Sequence, residues 1–414
     1  MTFDQDFSWG AAIPATTAWG AAPASDLAAW SGRLANPGAG SHLGGGSGAD
    51  SAEVFALLAG LGIRHLRLTL DWARIEPTNG RQDVEAVEGL RLELAAAHEA
   101  GMAVWGCLHD GPLPGWFAHD ERGFGDARSR GYFWARHVEF VGEAFGDLVH
   151  GWVPVAEPAR WAQRGWLTGE RPPGRVDDAE AFAAALEAVH LASADAAMRL
   201  RGGGQPVASA EWLVPLFPAR PGPDAPPTPD AEAMTSVADE ALWGCWRRMI
   251  DEEALVVPGR PPVEVPGARE AFDLIGFTYR HSSAVRGDGA LLPYPQALPR
   301  GPEGQVPWAE GLAIALHRVA EELPGRALLA GGVGIATADD EEQEHYLRDA
   351  LAIAAGALDG GIDLRGLWWD SPVDPVVADG TNGAERGGLL EGAGTARPAA
   401  RLLASVVAGA PVPT

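Results

Sequence analysis

Residues 151–158 read Gly151-Trp152-Val153-Pro154-Val155-Ala156-Glu157-Pro158. The stretch is a short apolar strand that ends in a carboxylate and stops at a proline. A glutamate at the end of a buried strand either meets solvent in a cleft or carries a raised pKa. Both states suit a general acid, so Glu157 is the first candidate catalytic residue.

Working outward from this strand, the chain alternates short strands with helices. Upstream, strands are expected at Phe7–Ala12, His65–Trp72 and Ala103–Leu108, with helices from Asp50 to Gly60 or Gly62 and from Val84 to Ala100. A helix from Gly131 to Phe145 leads into the Glu157 strand. Downstream, strands are expected at Pro206–Trp212, Phe272–Tyr279, Ala327–Ala330 and Leu364–Trp369. The intervening helices are Asp178–Arg199, Ala231–Ile250, Pro307–Leu323, Asp340–Leu358 and Thr395–Val407. Period-2 apolar runs give the strands and amphipathic runs give the helices. No linker divides residues 1–414. The pattern predicts a single α/β domain, a (β/α)8 TIM barrel. A doubly wound open sheet fits less well, because no Gly-rich dinucleotide turn follows the first strand.

Barrel chemistry sits at the C-terminal ends of the strands. That rule selects Arg67, Thr69 and Asp71 from the second strand, and His109 and Asp110 from the third. It also selects Glu157, Glu211, the run Tyr279-Arg280-His281, Gly331 and Gly332, and Trp369-Asp370. Asp110 and Asp370 are candidate second acids, since carboxyls crowded beside Glu157 raise one another's pKa. Salt bridges to Arg67 and Arg280 are the competing reading of the same two residues. Arg67 is also placed to pair with Asp71, two pleats along on the same face.

Ordered short motifs carry a resemblance to a known family. They are Phe7-Ser8-Trp9-Gly10, Leu61-Gly62-Ile63 with Arg67, Trp72-Ala73-Arg74-Ile75-Glu76-Pro77, Leu113-Pro114, Glu157-Pro158, and Gly169-Glu170 with Pro173-Gly174. Asp273-Leu274-Ile275-Gly276, Gly334 to Asp340, Tyr346-Leu347 and Arg365-Gly366 continue the series. In this order they resemble glycoside hydrolase family 1, the β-glucosidase family of retaining TIM-barrel enzymes. Retaining enzymes of this kind use two carboxyls about 5–5.5 Å apart. The resemblance implies Glu157 as the acid/base, in Ala156-Glu157-Pro158 where the family has Asn-Glu-Pro. It places Gly332 where the family has its nucleophilic glutamate. The family's sugar-binding positions fall on Thr17, on Asp110-Gly111, on Thr278-Tyr279-Arg280, and on the stretch from Asp370 to Ala378.

Composition narrows the partners. The formal charge of −25 argues against nucleic acid and anionic membrane surfaces. No apolar run is expected to span a membrane. The N-terminal residues lack a basic and apolar leader, so a cytoplasmic location is expected. Cys107 and Cys245 are too few for a disulfide framework. His109, Asp110, Glu157 and His281 have no short ligand spacing, so no metal and no cofactor are expected. The sequence leaves the oligomeric state open. Sixteen tryptophans suggest an aromatic lining for the mouth, with Trp19, Trp152, Trp166, Trp368 and Trp369 as candidates.

The expected function is a β-glucosidase-like barrel repurposed for general acid/base chemistry on a small, relatively apolar metabolite. Hydrolysis, elimination, cyclisation and rearrangement all fit. Glu157 is the acid/base, with Asp110 or Asp370 as second acid. Arg67, Asp71, Thr17, Trp19, Tyr279, Arg280 and Trp369 are the expected substrate-binding residues. The alternatives are a non-catalytic ligand-binding pseudoglycosidase and a residual glycosidase working by an inverting or substrate-assisted route.

Overall fold

A computed structural model describes residues 3–14, 20–31, 51–222, 224–301, 304–374, 387–391 and 394–412. Thr17 and Trp19 lie outside the described residues. Eight parallel strands form the central sheet: β1 (Ser8–Ile13), β2 (His65–Thr69), β3 (Ala103–His109), β4 (Gly151–Val155), β5 (Glu211–Trp212), β6 (Ile275–Tyr279), β7 (Leu328–Val333) and β8 (Leu364–Asp370). The neighbour order runs β4-β3-β2-β1-β8-β7-β6-β5. Parallel bridges Trp152↔Val207 and Ala156↔Ala210 join β4 to the segment entering β5 and close the barrel. The expected (β/α)8 architecture is therefore the observed one.

Local sequence explains the helices that wrap it. Asp83 accepts hydrogen bonds from the Glu85 and Ala86 amides and caps Val84–Glu99. Asp178 caps Ala179–Leu200, and Asp339 caps Asp340–Asp359, whose first turn is acidic. Each cap satisfies amides that the helix leaves unpaired, and acids there meet the positive end of the helix dipole. Two expected helices are split by π-helical turns, at Arg130–Trp134 and Glu240–Gly244. Asp71 and Trp72 do not extend β2. Asp71 instead caps a short helix, Trp72–Ile75, by accepting from the Ala73 amide. Beyond the barrel, Leu216–Pro218, Ser282–Val285 and Leu291–Tyr294 form a small sheet that the sequence reading did not anticipate.

The helix spanning Ala179–Gly203 is long and apolar enough to cross a membrane, contrary to the sequence expectation. Its most apolar window is 67% buried within the fold, because it packs as a core helix against β4 and its flanking helices.

The barrel interior is filled rather than hollow. Trp105, Cys107, Val153, Ala156, Ala208, Ala210, Leu329 and Trp368 form one compact cluster there. Alternation along each strand sends the neighbours outward. Ala210 packs inside and Trp212 lines the mouth, so Glu211 faces the helices outside, near Cys245. Glu211 is 1% exposed and neither carboxyl oxygen has a hydrogen-bond partner. Burial pushes its carboxyl well above the usual value of 4.5. It is thus a buried neutral acid of the outer core and not a mouth residue. A raised native pKa adds stability that is complete below the unfolded value and is lost as pH climbs toward the folded one. Glu211→Gln should therefore match the wild type near pH 4 and exceed it progressively above that. The gap should grow by up to about 1.4 kcal/mol per pH unit until the folded pKa is passed. Urea unfolding midpoints across pH 4–8 check this, and parallel curves would remove the unpaired carboxyl from the account.

Candidate active site

Strand register assembles the mouth. Ala12 of β1 pairs with Arg67 on one side and Asp370 on the other. Its small, fully buried side chain leaves the two charged side chains to meet, with Arg67 Nη2 3.9 Å from Asp370 Oδ1. The same Nη2 lies 3.9 Å from Asp110 Oδ2, and Arg67 Nη1 donates to the Gly331 carbonyl at 3.3 Å. Thr69 Oγ1 donates to Asp110 at 3.4 Å.

Glu157 follows β4 in a left-handed backbone conformation, φ 49° and ψ 51°. A non-glycine residue held there is strained, and such strain concentrates at functional positions. Pro158, with its fixed φ, then starts the helix Pro158–Trp166 at once. That start places Arg160 one turn on, where its Nη1 donates to Glu157 Oε2 at 2.7 Å. The Thr278 hydroxyl donates to Glu157 Oε1, also at 2.7 Å. Arg280 completes the set: its Nε lies 3.4 Å from Glu157 Oε1 and its Nη2 lies 2.5 Å from Asp370 Oδ2. Three carboxylates and three guanidiniums thus interlock at the strand ends. The salt-bridge reading of Asp110 and Asp370 describes this state of the site.

The electrostatics separate Glu157 from Asp110, which share the cavity wall. Burial pushes the Glu157 carboxyl up, but Arg160, Arg280 and the Thr278 hydroxyl together hold it well below the usual carboxylate range. Glu157 therefore rests ionised in the cavity wall, the first of the two states expected of it, and not with a raised pKa. Asp110 goes the other way. Burial raises its pKa, and Glu157 and Asp370 add to the rise against the pull of Arg67. Burial lowers His109 and His281 to about 3, so both rings are neutral. Among the described residues no group of three or more His, Cys, Asp or Glu side chains is arranged to hold a metal ion.

A cavity of about 1400 Å³ opens here. Asp110, Glu157, Arg160 and Arg280 share its wall with Trp161, Trp212 and Phe182. Several expected binding residues lie elsewhere. The hydroxyl of Tyr279 donates to the Trp308 carbonyl at 2.5 Å and the ring is fully buried, because Thr278 takes the inward position and alternation turns Tyr279 outward. Trp369 is likewise the outward neighbour of Asp370; its indole donates to the Gly387 carbonyl and its ring packs near Tyr346. Asp71 pairs with Arg74 at 3.3 Å rather than with Arg67. Trp368 lies in the barrel interior, its indole bonded to Ser8. Trp152 is core, and Trp166 packs on Trp161. Among the described residues the aromatic lining is therefore Trp161, Trp212 and Phe182, and Trp152, Trp166, Trp368 and Trp369 are not part of it.

The sequence reading did not name Arg160, and it named Thr278 only as a family sugar-binding position and not as a partner of Glu157. Arg160 was detectable as the i+3 neighbour once Pro158 is read as a helix start. In that role Thr278 becomes visible only through β7, where Gly332 pairs with it. A side-chain carbon built on Gly332 would stand 2.8 Å from Thr278 Cγ2 and 3.8 Å from Asp370 Oδ1. Position 332 therefore faces the carboxylate network.

Comparison with known proteins identifies the family and the fold. The model of glycosyl hydrolase family 1 matches residues 1–208, half of the chain. The thermostable β-glucosidase B of Thermobispora bispora is 28% identical over 409 residues, covering 90% of this chain and 83% of its own length. A lactase-like protein of Mus musculus is 28% identical over 190 residues, covering 42% of this chain and 32% of its own length. Among solved structures, the β-glycosidase of Pyrococcus horikoshii superposes with a TM-score of 0.83 at 20% identity, over 98% of this chain and 95% of that one. The family 1 β-glucosidase of Thermotoga maritima does so with a TM-score of 0.83 at 18% identity, over 98% of both chains. With the closed barrel and the Glu157-Pro158 strand end already in place, the chain belongs to glycosyl hydrolase family 1.

Proposed function

We propose that this family 1 barrel carries out acid/base chemistry on a small, relatively apolar metabolite without a covalent intermediate at position 332. The observation that carries the reading is the opposite displacement of two acids on one cavity wall. Glu157 is held ionised by Arg160 and Arg280, and Asp110 is pushed toward its protonated form. Acids whose surroundings drive their pKa values apart are matched to opposite proton-transfer roles. Glu157 is then the base and Asp110 the acid, which narrows the acid/base role expected of Glu157 from sequence. Asp370, tied to Arg280 and Arg67, fixes the guanidinium that holds Glu157. Gly332 supports the absence of a covalent step, because glycine offers no nucleophile beside this network. Hydrolysis by a water that Glu157 activates is the simplest reaction of this kind, and elimination, cyclisation and rearrangement use the same two groups. A lone acid or base supplies only about 10²–10⁴ in rate, so positioning in the cavity must supply the rest.

A second reading, a ligand-binding barrel without turnover, is favoured by the two arginines that occupy the Glu157 carboxylate. Substitution separates the readings. On a panel of aryl glycosides and aromatic metabolites, Glu157→Gln and Asp110→Asn should each lower kcat/KM by about 10²–10⁴ for any substrate turned over. Asp110 works protonated, so the rate is full below its raised pKa and falls as pH climbs through it. Asp110→Asn should therefore also abolish the alkaline limb of the pH profile. If the substrate is a glycoside, the product anomer should be inverted. Unchanged turnover and binding in Glu157→Gln, Asp110→Asn and Asp370→Asn would defeat the catalytic reading.

Position 332 has its own test. Gly332→Ala should cost about 1–3 kcal/mol in denaturant unfolding, since the added methyl crowds Thr278 in a packed wall. Gly332→Glu should gain no aryl glucosidase activity, and activity recovered in that variant would mean that the sugar site survives.

A further inference from the structure

We propose that the cavity takes a substrate bearing one carboxylate or phosphate group, seated on Arg164 and Arg171 beyond the catalytic acids. The proposal rests on the reading of this cavity as the substrate site and adds the chemical class of the ligand. Net charge makes the arrangement unusual: the chain has 31 Lys and Arg against 56 Asp and Glu. Yet Arg160, Arg164, Arg171 and Arg280 all line this one cavity. Arg160 and Arg164 are one turn apart on the Pro158–Trp166 helix, so they project from the same face. Arg160 and Arg280 are engaged by Glu157.

Arg164 is the guanidinium best placed for a ligand. It pairs with Glu170 at 2.9 Å, and that carboxylate is 53% exposed at the rim. Burial and the neighbouring Arg160 and Arg171 guanidiniums lower Arg164 to about 10. Positive charge is thus crowded and partly desolvated on this wall, where an anion gains more than it would at a surface. Met234, Val237, Leu242, Leu291 and Leu292 supply an apolar wall to the same cavity. A ligand with an apolar or aromatic body and one anionic end satisfies both walls. The anionic end at Arg164 leaves the body to extend toward Asp110 and Glu157.

Binding is measured by calorimetry with three probes: 3-phenylpropionate, 2-phenylethyl phosphate and the neutral 3-phenylpropionamide. One or both anions should bind at least tenfold more tightly than the amide, and the better of the two identifies the group. Arg164→Gln should erase that preference and Arg164→Lys should keep most of it. Glu170→Gln removes the competing carboxylate and should tighten anion binding several-fold, a gain that misfolding does not produce. Equal binding of amide and anions, no binding of any probe, or no change in Arg164→Gln and Glu170→Gln would overturn the proposal. Binding does not require turnover. Anion binding intact alongside inert Glu157→Gln and Asp110→Asn variants would defeat the catalytic reading alone, and turnover lost in those variants without any anion preference would defeat this one alone.

Discussion

The Arg280 guanidinium spans Glu157 and Asp370, and the mouth of the barrel depends on that bridge. Without it, the buried carboxylates of Glu157 and Asp370 would each lose a cationic partner, leaving Arg160 to hold the one and Arg67 the other. With it, Glu157 stays ionised at 7% exposure, and Asp370 is held on its other side by Arg67. Removing one member of a buried ion set leaves an uncompensated charge, which is strongly destabilising, so these side chains hold their places as a group. The strained backbone of Glu157 is part of the same constraint. The left-handed turn aims the carboxylate inward, and Pro158 then starts the helix that delivers Arg160.

Much of the fold was legible because its signals are local. Alternating strands and capped helices follow from residue patterns of period 2 and 3.6, and Asp83, Asp178 and Asp339 mark their own helices. The site was legible only in part, since its contacts lie far apart in sequence. Arg67 and Asp370 meet because Ala12 sits between them in register, and strand register is not written in any short motif. The errors at Tyr279, Trp369 and Glu211 have a common origin. Each lies beside a residue that does reach the lumen, and a one-residue error in the inward phase turns a core side chain into a site residue. Asp71 was misread for another reason: the chain leaves β2 early, and a cap took the place of a pleat.

Membership of glycosyl hydrolase family 1 fixes the scaffold and leaves the chemistry to the strand ends. Gly332 and Asp370 are themselves packed among these ends, against Thr278 and Arg67. The π-helical turn in the helix that follows β5 carries Ala241 and Leu242 to the cavity, so the outer layer contributes to its apolar side.

The arginine-lined wall lies inside a strongly acidic molecule, and this bears on how fast a ligand arrives. Within the screening distance of about 8 Å at physiological ionic strength, an anion nearing the surface meets the field of a chain of formal charge −25. Within the cavity it meets guanidiniums. Encounter is therefore slowed and residence prolonged, the opposite of electrostatic steering. A site of this kind favours ligands that are scarce but long-held over those that must be exchanged quickly. Rising salt would quicken entry even as it loosens the grip.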